Sequence, residues 1–291
     1  MFVIKKGEDK MSLVTLNEVL KKSITKNRAI GSFNVTNHQM LEGIIEAAEE
    51  KGVPVIISIA EVHFKYLDLD NFIPYLLDRI SRTDIPVVLH LDHGLSFDTV
   101  IKAIHYGFSS VMIDASSLPY EDNVALTLKV TEAAHAAGVS VEAELGHVAG
   151  GEGNLVEGTD VDISAFTRPE EAVNFIEDTG IDALAVAVGT VHGLYKGQPN
   201  LDFELLKKLE DTVSVPLVLH GGSGLTVNDF KKAISYGISK INFYTQSSIS
   251  GVEAIKELLA KENPISLPEL TLAAQNRVKK VVEKQMDIYE I

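Results

Sequence analysis

Residues 86–115 read PVVLHLDHGLSFDTVIKAIHYGFSSVMIDA, and the order of their patterns decides the fold. Pro86–Asp92 is almost continuously apolar, as a strand buried on both faces must be. Phe97–Tyr106 then places apolar residues at helical spacing, and Gly107 stands where that helix should stop. A second apolar run, Ser109–Ala115, follows at once. A strand, a helix and another strand buried on both faces make a parallel β-α-β unit. Outward from this stretch the same alternation fills the chain. Further β-rich runs are Ala29–Val35, Pro54–Ala60, Ser140–Gly146, Asp182–Gly189, Pro216–Gly222 and Lys240–Thr245. Amphipathic stretches such as Gln39–Lys51, Asn123–Ala137 and Pro169–Thr179 lie between them, and Thr15 with Glu18 has capping-box spacing before a first helix. Eight strands alternating with helices predict a single-domain α/β protein, a (β/α)8 TIM barrel. An open doubly wound sheet rarely uses eight such regular units. Residues 1–11 read as an N-terminal extension, 147–164 as a mobile, glycine- and acid-rich loop, and 264–291 as one or two helices outside the barrel.

Composition narrows the function. The 291 residues are 45% hydrophobic and 23% charged, with a formal net charge of −15. Such a field disfavours nucleic acid and anionic membranes as partners. A phosphate-bearing ligand would need a site made locally positive. With no cysteine in the chain, thiolate metal sites and cysteine nucleophiles are excluded, so a metal would have to use His, Asp or Glu. No stretch approaches the ~18 apolar residues of a spanning helix, and Met1–Lys10 lacks an apolar signal core. A cytoplasmic enzyme is expected, with either Met1 or Met11 as its start.

In a parallel barrel the active site lies at the carboxyl ends of the strands. The polar residues gather there: His90-Leu91-Asp92-His93-Gly94 after strand three, Asp114 after strand four, Glu142 and Glu144 on strand five. His192-Gly193 follows strand six, His220-Gly221-Gly222-Ser223-Gly224 ends strand seven, and Asn242 and Thr245 lie on strand eight. His93, His192 and His220 follow three different strands and can converge on one metal. Three neutral imidazoles would leave zinc its full charge and an open position for Lewis-acid work. His38, His63, His105 and His135 read as structural or surface residues, with His147 a weaker site candidate. Gly193, Gly221, Gly222 and Ser223 can bring backbone amides close to an oxyanion, in the loops where barrels often bind phosphate. No lysine falls in the first seven strands, and Lys240 stands at the start of strand eight, at the far end of the barrel. A Schiff-base lysine is therefore unsupported, and a carbonyl reaction would need a metal as electron sink.

With these residues in view, the chain resembles the class II fructose-bisphosphate and tagatose-bisphosphate aldolases. The resemblance rests on His90–Gly94, on Glu142-Ala143-Glu144-Leu145-Gly146, on His192-Gly193-Leu194-Tyr195-Lys196-Gly197 and on Leu219–Gly224. It runs from about Thr15 to Val282 in the right order. It implies one catalytic Zn2+ per subunit on His93, His192 and His220, with Asp114 and Glu144 supporting these ligands or binding zinc at an alternative, more buried position. Asp92 would handle the proton of the hydroxyl on carbon 4, and Glu152, on the loop, the proton on carbon 3. Gly193, Lys196, Gly221, Ser223, Asn242 and Thr245 would surround the dihydroxyacetone phosphate moiety, beside a monovalent cation (Na+ or K+). A homodimer or homotetramer is implied by resemblance alone.

The chain departs from the family pattern at Tyr244 and Gln246, where acids are usual, and at Ala60-Glu61-Val62-His63, in place of a Ser-Glu-Gly run. The Ala149–Gly153 loop lacks the usual acid after its glutamate. These departures leave the metal machinery intact and bear on the aldehyde half of the substrate. Fructose 1,6-bisphosphate leads, ahead of tagatose 1,6-bisphosphate or a deoxy-sugar acid phosphate. Readings of a different class are a barrel metallohydrolase with Asp92 as base, and a non-catalytic phosphosugar-binding protein.

Overall fold

The computed structural model describes residues 12–24, 28–150, 160–261 and 265–290. Eight parallel strands close on themselves in chain order. They are β1 (Ile30–Asn34), β2 (Val55–Ala60), β3 (Val87–Gly94), β4 (Ser110–Ile113), β5 (Ser140–Leu145), β6 (Ala183–Val186), β7 (Leu217–Leu219) and β8 (Ile238–Asn242). Closure comes from β1 on β8, with Ile30 opposite Lys240 and Ser32 opposite Asn242. This is the expected TIM barrel.

The helices are α1 (Leu16–Ile24), α2 (His38–Lys51), α3 (Leu69–Ser81), α4 (Phe97–Tyr106), α5 (Tyr120–Ala136), α6 (Pro169–Thr179), α7 (Phe203–Thr212), α8 (Val227–Ser235), α9 (Thr245–Lys261) and α10 (Leu267–Tyr289). The capping box is present: Thr15 N donates to Glu18 Oε2 at 2.7 Å, and Glu18 N to Thr15 Oγ1 at 3.4 Å. The expected tail is one helix. It packs outside the barrel on α2 and α9, and Tyr289 near its end is buried against Phe230.

Two apolar cores follow from the strand period. Residues pointing outward from the strands meet the helices and form the larger core. The inner one is the amino-terminal layer of the barrel interior: Ile30, Ile56, Val88, Met112 and Val218, covered by Leu16, Val19 and Leu20 of α1. α1 therefore seals the end opposite the site. Its Asn17 is tied to Ser140 at the start of β5 and to Asp182 just before β6. One step up each strand the interior turns polar, with Ser32, Ser58, His90, Glu142 and Lys240, all buried. A further step up lie Asn34, Asp92, Glu144 and Asn242.

This layering corrects the reading of Lys240. Strand β8 begins at Ile238, not at Lys240, so the lysine lies inside the barrel with its side chain fully buried. It is still no Schiff-base candidate, because its ammonium is ion-paired with Glu142 at 2.8 Å.

Candidate metal centre and anion loops

Three imidazoles meet at the carboxyl end of the barrel. His93 Nε2 lies 3.1 Å from His192 Nε2 and 2.9 Å from His220 Nδ1, and His192 Nε2 lies 3.4 Å from His220 Nδ1. A tetrahedral ion with bonds of ~2.0–2.1 Å spaces its donors roughly 3.3 Å apart. The donor set therefore fits a tetrahedral metal ion. A second overlapping group, His93 with Asp114 and Glu144, could also hold a metal ion.

The local chain explains how adjacent residues share the site. Alternation along β3 sends His90 and Asp92 inward, so His93 should point outward. The β3–β4 register shifts between Leu91 and Gly94, and His93 takes a φ of 45°. That left-handed backbone is costly for a side-chain residue and occurs where function demands a direction. Here it turns a second consecutive side chain into the mouth of the barrel.

Each ligand nitrogen is set by what the other ring nitrogen meets. His93 Nδ1 donates to Asp114 Oδ2 at 2.7 Å. His192 Nδ1 lies 3.3 Å from the Val148 carbonyl. His220 Nε2 donates to Glu142 Oε1 at 2.8 Å. Asp114 is itself held by Ser116 through backbone N at 3.2 Å and Oγ at 2.7 Å. Ser116 Oγ also lies 2.9 Å from His147 Nδ1, which brings the weaker histidine candidate to the rim.

The surroundings are built for positive charge. Burial alone would drive His93 toward its neutral form, but Asp92, the hydrogen bond to Asp114 and nearby Glu144 outweigh it and push its pKa up to about 10. Burial and then Asp114 push Glu144 up to about 8. Its Oε2 is buried and has no hydrogen-bond partner among the described residues. A dication between the imidazoles and these carboxylates would relieve both strains.

Asp92 is completely buried. Burial would raise its pKa, yet His93, His220 and Lys240 hold it well below the usual carboxylate range. Asn34 Nδ2 donates to one oxygen at 2.7 Å and Asn242 Nδ2 to the other at 2.9 Å. Asp92 is thus an ionised acceptor in fixed orientation beside the ligand cluster. Asn242, expected around the dihydroxyacetone phosphate, has its amide nitrogen here. The amide oxygens of Asn34 and Asn242 are both buried without partners among the described residues.

The loops after β6 and β7, the candidate anion site, come together beside this cluster. Tyr195 Oη donates to the Gly221 carbonyl at 2.8 Å and accepts from Val191 N at 3.3 Å, joining the loop after β6 to the loop after β7. Gly221 has a φ of 68°, and a Cβ there would stand 2.3 Å from the Val191 carbonyl oxygen. Ser223 Oγ accepts from Gln246 N at 3.3 Å in the first turn of α9, which Thr245 opens. Lys196 is not brought to these amides. Its exposed ammonium pairs with Asp160 at 2.7 Å. Glu152 lies outside the described residues.

The residues that depart from the resemblance also collect at this mouth. His63 is buried just beyond β2, with its ring 4.6 Å from that of Tyr244 and its Nδ1 unpartnered. Glu61 accepts from Leu95 N at 2.7 Å and Thr99 Oγ1 at 3.0 Å, tying this segment to the loop after β3. Gln246 is exposed. The sequence reading did not single out Asn34, and it gave no role to His90, Glu142 or Lys240. A period-two count was the available signal: Lys240 is two residues before Asn242, Glu142 two before Glu144, and His90 two before Asp92.

Comparison with known proteins agrees with this geometry. Residues 14–291 match the family model described as fructose-bisphosphate aldolase class-II. A probable fructose-bisphosphate aldolase of Bacillus subtilis is 44% identical over 86% of this chain and 87% of its own length. A fructose-bisphosphate aldolase of Geobacillus stearothermophilus is 44% identical over 87% of this chain and 88% of its own length. Among solved structures, the YdjI aldolase of Escherichia coli K12 superposes with a TM-score of 0.85 at 35% identity, covering 95% of this chain and 97% of that one.

Proposed function

Because the chain belongs to the class II fructose-bisphosphate aldolase family, a metal-dependent family of aldehyde-lyases, we propose that it reversibly cleaves fructose 1,6-bisphosphate to dihydroxyacetone phosphate and glyceraldehyde 3-phosphate. One observation carries the assignment of its site. Three imidazole nitrogens converge within 3.4 Å of one another, beside a buried carboxylate whose two oxygens are each fixed by an amide.

His93, His192 and His220 would hold one zinc ion per subunit. Bound there, the metal supplies Lewis-acid polarisation of the substrate's oxygens. Asp92 takes the hydroxyl proton from carbon 4 as the bond between carbons 3 and 4 breaks. The electron pair of that bond stays on carbon 3, and Glu152 returns a proton there after the aldehyde has left. Asn34 and Asn242 keep Asp92 in line, and their unpartnered amide oxygens can accept from substrate hydroxyls. Asp114 fixes His93, and Asp114 and Glu144 would balance the charge of the metal or bind it at an alternative, more buried position.

The amides of Gly193, Gly221 and Ser223, with the first turn of α9 at Thr245, would receive the phosphate on carbon 1. Since Lys196 is exposed and paired with Asp160, a monovalent cation, Na+ or K+, would add positive charge beside that phosphate. His63 and Tyr244, two of the departures from the family pattern, have their rings 4.6 Å apart, which keeps tagatose 1,6-bisphosphate and deoxy-sugar acid phosphates as alternative substrates.

No helix among the described residues is long and apolar enough to cross a membrane, in keeping with a cytoplasmic enzyme. Leu259, Leu267 and Leu272 on α9 and α10 are each more than half exposed, apolar surface that a homodimer or homotetramer would cover. The deciding experiment is an assay of zinc-loaded enzyme on fructose 1,6-bisphosphate, tagatose 1,6-bisphosphate and a panel of ketose 1-phosphates. Release of dihydroxyacetone phosphate should be fastest from fructose 1,6-bisphosphate, stop with chelator and return with zinc. Full activity in a metal-free preparation would refute the metal assignment.

A further inference from the structure

Lys240 sits in the middle of the barrel, completely buried, and no step proposed above uses it. Its ammonium lies 2.8 Å from Glu142 Oε2 and 3.1 Å from Glu142 Oε1. Glu142 is equally buried, and its Oε1 accepts from His220 Nε2 at 2.8 Å. The opposite nitrogen of that ring, Nδ1, is the one facing His93 Nε2 at 2.9 Å. Lys240, Glu142 and His220 therefore form a line from the barrel centre to the imidazole cluster.

We infer that Lys240 is a positioning residue for His220, acting through the Glu142 carboxylate to keep His220 Nδ1 turned to the metal. The inference rests on the reading of His93, His192 and His220 as the ligand set. An imidazole that ligates through Nδ1 carries its proton on Nε2. A carboxylate only accepts, so Glu142 at 2.8 Å selects that tautomer over Asn242 Nδ2, a donor that stands 3.5 Å from the same nitrogen and already donates to Asp92 at 2.9 Å.

Glu142 has a competing neighbour. His90 Nε2 lies 3.7 Å from Glu142 Oε2 and would draw the carboxylate away if it carried a proton. Lys240 Nζ stands 3.5 Å from that same nitrogen. An ammonium only donates, so it requires His90 Nε2 to be an acceptor, with the His90 proton on Nδ1 toward Ser110 Oγ at 2.9 Å. One lysine thus hydrogen-bonds Oε1, ion-pairs with Oε2 and removes the rival donor. Stability does not call for this arrangement, since apolar side chains of similar volume often serve as well as a buried ion pair.

The test is a double-mutant cycle on the full chain, stripped of metal. Zinc affinity is measured by competition with a chelating indicator for wild type, E142Q, K240M and the double variant, with folding followed by circular dichroism. E142Q and K240M should each bind zinc about 10- to 100-fold more weakly. The double variant should bind no more weakly than E142Q alone, because Lys240 acts only through Glu142. Wild-type affinity in E142Q, or a K240M loss that persists in full on the E142Q background, overturns the inference. H93A serves as the control: if it binds zinc as tightly as wild type, the ligand-set reading fails instead. Should K240M not fold, imidazole 15N spectra of metal-free wild type decide, with signals assigned from H90Q and H220Q. The proton is expected on Nε2 of His220 and on Nδ1 of His90. The opposite tautomer at either ring overturns the inference.

Discussion

At the scale of single residues, Asp92 shows how a buried charge is tied to one task. It is completely buried, ionised, and held at both oxygens by the side-chain amides of Asn34 and Asn242. Asp92→Ala should therefore lower kcat by about 10²–10⁴-fold, the usual loss for a positioned acid/base. Bound zinc, counted by metal analysis, should stay at the wild-type ratio; loss of the metal along with activity would make Asp92 a support for the ligands instead. Ser223 makes a separate prediction about charge. Its buried side chain bonds the first turn of α9, so Ser223→Asp should raise KM for a phosphorylated substrate on the order of tenfold or more, by like-charge repulsion in a partly dry site. An unchanged KM would remove Ser223 from the anion site. His93, His192 and His220 were legible because polar residues stand out at the ends of apolar strands. Glu142 and Lys240 were not: one lies on a strand already credited to Glu144, and the other stands at the start of the apolar run but two residues inside the strand itself. Their pairing across the barrel is a contact between β5 and β8, which no local pattern encodes.

At the scale of elements, helices and loops were read with unequal success for a physical reason. Phe97–Tyr106 and Pro169–Thr179 have the bounds that periodicity and their stop signals imply. The later strands are shorter than their apolar runs, because the chain leaves β6 and β7 early to build the loops that carry His192 and His220. Those loops depend on backbone shape more than on side chains. Gly221 has a φ of 68°, and a Cβ there would meet the Val191 carbonyl at 2.3 Å, whereas Gly52, with a φ of 66°, has nothing within 4 Å. Both Gly→Ala changes incur the ~1–2 kcal/mol of a left-handed backbone. Gly221→Ala must also displace the loop that follows β6. It should lower Tm further than Gly52→Ala and raise KM, while Gly52→Ala leaves KM unchanged. Thermal melts and steady-state kinetics on the two variants separate these effects, and equal Tm losses with equal KM values would show that the loops do not touch.

At the scale of the whole molecule, the charges around the site couple metal binding, protons and stability. Without metal, His93 has its pKa pushed up to about 10, against burial, by Asp92, Asp114 and Glu144, and Glu144 is pushed up to about 8 by burial and Asp114. Both groups favour the protonated folded state. The His93 contribution is full below its unfolded value near 6.5 and is lost as pH rises through 10; that of Glu144 is lost between its unfolded value near 4.5 and 8. Glu142 works in the opposite direction. Burial would raise its pKa, but Lys240 and His220 bring it down to about 2, so its contribution is present above 4.5 and lost only in acid. Burial lowers the pKa of His63, His90, His192 and His220, so each must take up a proton on unfolding below its unfolded value near 6.5 and costs stability there. Metal-free protein should therefore be most stable near pH 6.5 and weaken toward pH 8. Zinc requires His93 to be neutral and favours ionised Glu144, so its uptake at pH 7.5 should release between about one and two protons per ion. Calorimetry in buffers of different ionisation enthalpy counts those protons. The gap in Tm between zinc-bound and metal-free protein should widen from pH 6 to pH 8, because deprotonation weakens one state and is already complete in the other. A gap that does not change with pH, together with no proton release, would mean that His93 is neutral before zinc arrives and that the acidic residues around it do not hold a positive charge in the mouth of the barrel.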